Sequence, residues 1–129
     1  MSDSRRDAKG QSLVELALIL PIFLMLIIGL FDVGRAVYAY NTVANAARSA
    51  ARVAIVDQDL DTVRGAAKEQ GVALGLKDSD ITFVDCGTQY CLLEITVSWD
   101  FDPATPLIGN IFNPDISSTA RMPMEVKNP

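Results

Sequence analysis

Histidine is missing altogether from this 129-residue chain. Its absence removes the commonest general base and the commonest nitrogen ligand for a metal. Cysteine occurs only twice, so a zinc site would have to be completed by carboxylates, which is not how structural zinc is held. Clustered cations are lacking as well: from residue 32 onward, 8 Lys and Arg stand against 13 Asp and Glu. A surface of that sign repels a phosphate backbone and excludes nucleic acid as a partner. No nucleophile and base, glycine-rich phosphate loop or metal set can be assembled from what remains. The chain therefore does not read as an enzyme, and neither a cofactor nor a small-molecule substrate is expected. Internal repeats and low-complexity tracts are also lacking.

What is present is unevenly spread. Half of the residues are apolar, and much of that content sits in one block near the start. Residues 1–10 are polar, with Arg5, Arg6 and Lys9 beside Asp3 and Asp7. Residues 13–31 then carry a single charge, Glu15. As a helix this block covers roughly 28 Å, about the thickness of a bilayer core. A lone acid beside a membrane-spanning segment is costly, which makes Glu15 a functional candidate. Pro21, inside the block, withholds a backbone donor and is expected to kink or loosen the helix near Ala17.

Helical periodicity continues past the apolar block. Val33, Val37, Tyr40, Ala44, Ala47, Ala51 and Ile55 recur at spacings of three and four, which predicts a buried stripe. Asn41, Asn45, Arg48 and Arg52 gather on an adjacent face. The many alanines between 44 and 54 favour helix and allow close approach by another element. Asp57, Asp59 and Asp61 break the helix and offer caps for the next one. Their spacing resembles the start of a calcium loop, but Thr62 and Lys68 stand where that loop needs Gly and Glu. A second helix is predicted over 60–74, with Leu60, Val63, Ala67 and Leu74 inward and Gly75 as its stop.

After Asp80 the period becomes two. Leu93, Ile95, Val97, Trp99 and Phe101 alternate with polar residues, the pattern of a half-buried strand. Residues 81–86 read as its hairpin partner. A third strand is predicted from Ile116 to beyond Met124, at an edge because it contains Pro123. Cys86 and Cys91 enclose four residues, whereas zinc knuckles and redox motifs usually enclose two. A disulfide across a tight loop in an oxidising compartment is expected, with two unpaired cytosolic thiols as the alternative. The expected class is α+β: a long N-terminal transmembrane and stalk helix packed on a small antiparallel sheet head with a second helix. The divisions are 1–10 as leader, 11–56 as transmembrane and amphipathic stalk helix, and 57–129 as an extracytoplasmic head.

Gly10, followed by Gln11 and then by Glu15 at the edge of the apolar block, looks like the class III prepilin-peptidase motif of type IV pilins. The stretch GQSLVELALILPIFLMLIIGLFDVGRAVYAYNTVANAARSAARVA more closely resembles the N-terminal region of TadE-like proteins, pilin-like components of Tad (type IVc) pilus systems. The resemblance covers about residues 9–56. It includes Leu20-Pro21, the group Asp32, Gly34 and Arg35, and the run Asn45 to Arg48; the β-rich remainder fits more loosely. It implies a minor pilin or pilin-like component held in the inner membrane as a single-pass precursor, with its head outside the cytosol, and at the cell surface after assembly. It further implies Gly10 as the last leader residue, Gln11 as the new N-methylated terminus and Glu15 as the assembly carboxylate. The implied partners are the membrane, a prepilin peptidase, other pilins or minor pilins and the Tad assembly platform. Leu16 replaces a frequent Tyr of the major Tad pilins, and the chain is longer than they are; both favour an accessory subunit. Two other readings compete: a membrane-anchored extracytoplasmic binding module with no pilus role, and a secretory signal cut after Ala39.

Overall fold

The computed structural model describes residues 4–57, 59–84, 91–105 and 114–124, with side chains described from Gly10 onward but not at positions 91 and 124. One helix, α1 (Ser4–Val56), runs for 53 residues, or roughly 80 Å. A shorter helix, α2 (Leu60–Gln70), follows after a tight turn. Three strands complete the head: β1 (Ile81–Val84), β2 (Cys91–Asp100) and β3 (Asp115–Met124). They form an antiparallel sheet in the order β1-β2-β3. This is the expected α+β architecture. The leader residues from Ser4 onward are continuous with α1 and form no separate element.

The turn between the helices explains the three aspartates. The Asp57 carboxylate accepts the Asp59 N–H at 3.1 Å, and the Asp59 carboxylate accepts the Thr62 N–H at 3.1 Å. Asp59 is thus the N-cap of α2, with Asp61 in the first turn where the helix dipole favours an acid. Helix α2 stops at Gln70, earlier than the predicted end at Leu74. Gly71 closes it, and the space a Cβ would take there is filled by the Leu76 side chain. A short 3₁₀ turn (Val72–Leu74) follows, and Gly75 adopts a left-handed φ of 63°, so it ends this turn instead of the α-helix. The Trp99 indole donates to the Leu74 carbonyl at 3.0 Å and ties that turn to the sheet.

The predicted strand faces are observed. Leu93, Ile95 and Val97 are fully buried, Phe101 nearly so, and Trp99 half-buried. Ile81 and Phe83 of β1 lie opposite Val97 and Ile95. Met122, Ala120, Ser118 and Ile116 of β3 lie opposite Leu93, Ile95, Val97 and Trp99. Pro123 sits on β3, an edge strand, as its missing donor requires. The outer face is polar: Thr96 and Thr119 share a hydrogen bond at 2.8 Å, and Arg121 bridges Glu94 at 3.1 Å. Strand β1 is described to Val84. The predicted remainder of the hairpin, with Cys86 and the side chain of Cys91, lies outside the described residues.

The stripe by which α1 meets the head differs from the predicted one. Buried positions are Ala39, Val43, Ala44, Ala46, Ala47, Ala50, Ala51 and Ala54. Val33, Val37, Tyr40 and Ile55, expected inside, are exposed, and Leu60 on α2 is 42% exposed. The seam is built almost wholly of methyl groups because α2 and the sheet approach the helix backbone closely, where only small side chains fit. Enlarging one is therefore costly. Ala50→Leu is expected to destabilise the head by about 1–3 kcal/mol through overpacking. Exposed Arg48→Ala is expected to stay within about 0.5 kcal/mol of the parent. Thermal unfolding of the full chain in detergent, followed by the fluorescence of Trp99, reads both.

Candidate functional site

The lower part of α1 packs against none of the other described elements. Every described side chain from 10 to 26 is exposed; Leu18 is 70% exposed and Leu30 74%. Leaving so many large apolar groups in water would forfeit about 1.5–3 kcal/mol each. The helix is long and apolar enough to cross a membrane. We take residues 13–31 as the spanning segment.

Gly10, Gln11 and Glu15 lie on the exposed surface at its start. A Cβ added at Gly10 would meet open space, so packing within the chain does not call for glycine there. Glycine in a helix interior costs roughly 1 kcal/mol relative to alanine, and nothing inside this molecule offsets that. Glu15 lies one turn from Gln11, about 6 Å along the axis and on the same side of the helix. Among the described residues Glu15 has no ion-pair partner in the chain. Pro21 lies inside α1, exposed, where it has no N–H to offer the Ala17 carbonyl.

At the other end of the span a second acid is treated differently. Asp32 is only 4% exposed. Its carboxylate accepts the Ala104 N–H at 2.9 Å, the Thr105 N–H at 2.8 Å and the Thr105 hydroxyl. These donors belong to the segment that follows β2, in which Pro103 is also buried. Arg35, one turn on, reaches the Asp32 carboxylate at 3.7 Å and the Asp102 carbonyl at 3.5 Å. Its guanidinium lies 5.6 Å from the centre of the Phe101 ring, which packs edge-on against Trp99. The Thr105 hydroxyl above all, then the Ala104 N–H, hold the Asp32 carboxyl below the usual aspartate range, against an upward push from burial.

Sequence reading noted Asp32 and Arg35 only as a motif of resemblance and assigned them no role. The available signal was an acid directly after the apolar block with a cation three residues on. Its partners lie 72 and 73 positions away and are mostly backbone, so no pattern could name them. Beside Arg35, Leu30, Phe31, Gly34 and Tyr38 line a shallow apolar recess of about 310 Å³.

The molecule is thus a single long apolar helix with an exposed acid near its start, carrying a small α+β head on its far half. Residues 10–52, a third of the chain, match the family model described as TadE-like protein. No curated protein and no solved structure matches the chain.

The depressed Asp32 pKa sets a direction for acid unfolding. Its contribution is present above the ordinary aspartate value of 3.8 and is lost as pH falls through the lower folded value. Below pH about 4 the stability of the parent is expected to fall more steeply than that of Asp32→Asn. Thermal midpoints across a pH series measure the two slopes.

Proposed function

We propose that the chain is the membrane precursor of a minor pilin-like subunit of a Tad pilus, and that its work is architectural and not catalytic. The observation that carries this reading is the TadE-like match over 10–52, which begins at Gly10 itself. A prepilin peptidase would cut between Gly10 and Gln11 on the cytosolic side, which accounts for a glycine that the chain's own packing does not need. Gln11 then presents a cationic amine about 6 Å from the Glu15 carboxylate along the helix axis. Within one subunit these groups sit on successive turns. Between parallel subunits shifted along the axis, the amine of one lies level with the carboxylate of the next. Pairing there neutralises Glu15 beside lipid and fixes the shift between neighbours, as buried polar pairs fix register elsewhere. Pro21 loosens the helix near Ala17 and lets the lower segment adjust as it leaves the bilayer. The head stands outside the cytosol, in a compartment where Cys86 and Cys91 form a disulfide. The subunit's partners are the membrane, other pilins or minor pilins and the assembly platform.

The intact mass of the natural product tests processing and oxidation together. The expected mass corresponds to a chain beginning at Gln11 and lighter by the two hydrogens of a disulfide. A chain that keeps Met1 or Ser2 at its terminus would instead mark a plain anchor, and one that begins at Tyr40 a secreted protein.

Glu15→Ala is expected to be processed normally but to lose incorporation into filaments by roughly tenfold or more, the loss from removing one partner of a desolvated pair. Quantitative immunoblots of sheared pili against whole cells measure it, and incorporation at the parental level contradicts the pairing.

A further inference from the structure

We propose that Asp32 is a positioning residue that clamps the membrane-proximal end of the head to α1 and so fixes how the head is presented to neighbouring subunits. Among the described residues the upper contact packs closely but makes no directional bonds between α1 side chains and the sheet. Over 44–54 its buried positions are alanine, and a slide of four residues along α1 exchanges Ala54 for Ala50, Ala51 for Ala47 and Ala50 for Ala46, so only the lower positions, where Val43, Thr42 and Tyr40 would enter, resist it. Such a surface holds the sheet close but carries little information about height along the axis or tilt. The covalent turn at 57–59 ties α2 to the top of α1, while the sheet has no comparable tie there.

The directional contact is at the bottom. Among the described residues Asp32 and Thr105 are the buried polar pair of the molecule. Asp32 and Arg35 are also the described α1 side chains that hydrogen-bond to the head. Three donors converge on one carboxylate, and the acceptor geometry fixes where the 101–105 segment lies on the helix. The clamp sits at the first residue beyond the spanning segment. It therefore sets the distance between the bilayer and the sheet at the place where that distance is decided. A buried carboxylate with all its partners in one segment is register-specific in a way that packed methyl groups are not.

The clamp itself does not depend on the pilus reading; its consequence for neighbouring subunits does. The test separates the two. Amide hydrogen exchange is measured on the full-length chain in detergent micelles for the parent, Asp32→Asn and Thr105→Val. Asp32→Asn keeps the shape but loses acceptor capacity, and Thr105→Val removes only the hydroxyl. Exchange across 101–105 should rise by roughly tenfold or more in Asp32→Asn and by less in Thr105→Val, with residues 93–97 as slow as in the parent. Unchanged exchange at 101–105, or an equal rise at 93–97, overturns the clamp. In cells, both variants should mature to parental levels yet enter filaments several-fold less well. Thr105, like Asp32, is buried, so a loss of incorporation shared by both variants reports on the bond between them. If Asp32→Asn alone loses incorporation, the Thr105 bond does not set the position of the head and the positioning role is overturned. If both variants show the exchange change but assemble normally, the clamp stands and its consequence for assembly is overturned.

Discussion

An uninterrupted helix of 53 residues is asked to satisfy two different surroundings, and the rest of the molecule is arranged around the point where one gives way to the other. Below residue 32, α1 offers large aliphatic and aromatic groups on every side and packs against none of the other described elements. Above it, one face shrinks to methyl groups and accepts a sheet and a second helix. The changeover falls within about one helical turn, at Asp32 and Arg35. A backbone that keeps its hydrogen bonds inside the helix can cross such a boundary without leaving polar groups exposed to lipid. A sheet edge cannot, and β2 and β3 belong to the head, beyond the boundary.

The head is small, and its stability depends on α1. Its described core joins Leu93, Ile95 and Val97 of β2 with Ile81 of β1, Val63 and Ala67 of α2 and the alanine seam. Each fully buried aliphatic side chain contributes about 1.5–3 kcal/mol. Strands β2 and β3 cover one side of the seam and α2 the other. The sheet turns its polar face outward, where the Glu94–Arg121 and Thr96–Thr119 pairs lie. Above Asp32 the long helix and the head are therefore one folding unit.

Strand β2 was legible from sequence because alternation is a strong signal and both of its faces obey it. Helix α1 was legible in extent but not in orientation. The expected stripe gave weight to Val33, Val37, Tyr40 and Ile55, the bulkier apolar groups, whereas the head selected alanines. Close packing prefers the smallest residues, and apolarity alone does not rank alanine above valine. The end of α2 was misplaced because Gly71 had no visible reason to stop a helix; that reason is Leu76, which occupies the space a side chain would need. Gly10 and Glu15 stood out by spacing and resemblance, while the partners of Asp32 are amides that any sequence supplies.

Two acids mark the ends of the apolar segment, Glu15 just inside its start and Asp32 just beyond its end, and the contrast between them carries functional weight. Both face the cost of a carboxylate near hydrocarbon. Asp32 meets it internally, with two amides, a hydroxyl and a nearby guanidinium, all within one chain. Among the described residues Glu15 has no ion-pair partner, and the helix around it has spent its amides on its own carbonyls. Under the proposed function, relief for Glu15 comes from protonation or from a cation on another molecule. A protonated acid would serve as well at almost any position near the membrane edge. In the proposed assembly a cation from a neighbour needs the carboxylate at one height, and a terminus newly cut at Gln11 would supply a charge at a fixed offset from it. On that reading Gly10 and Glu15, five residues apart, would serve one assembly requirement.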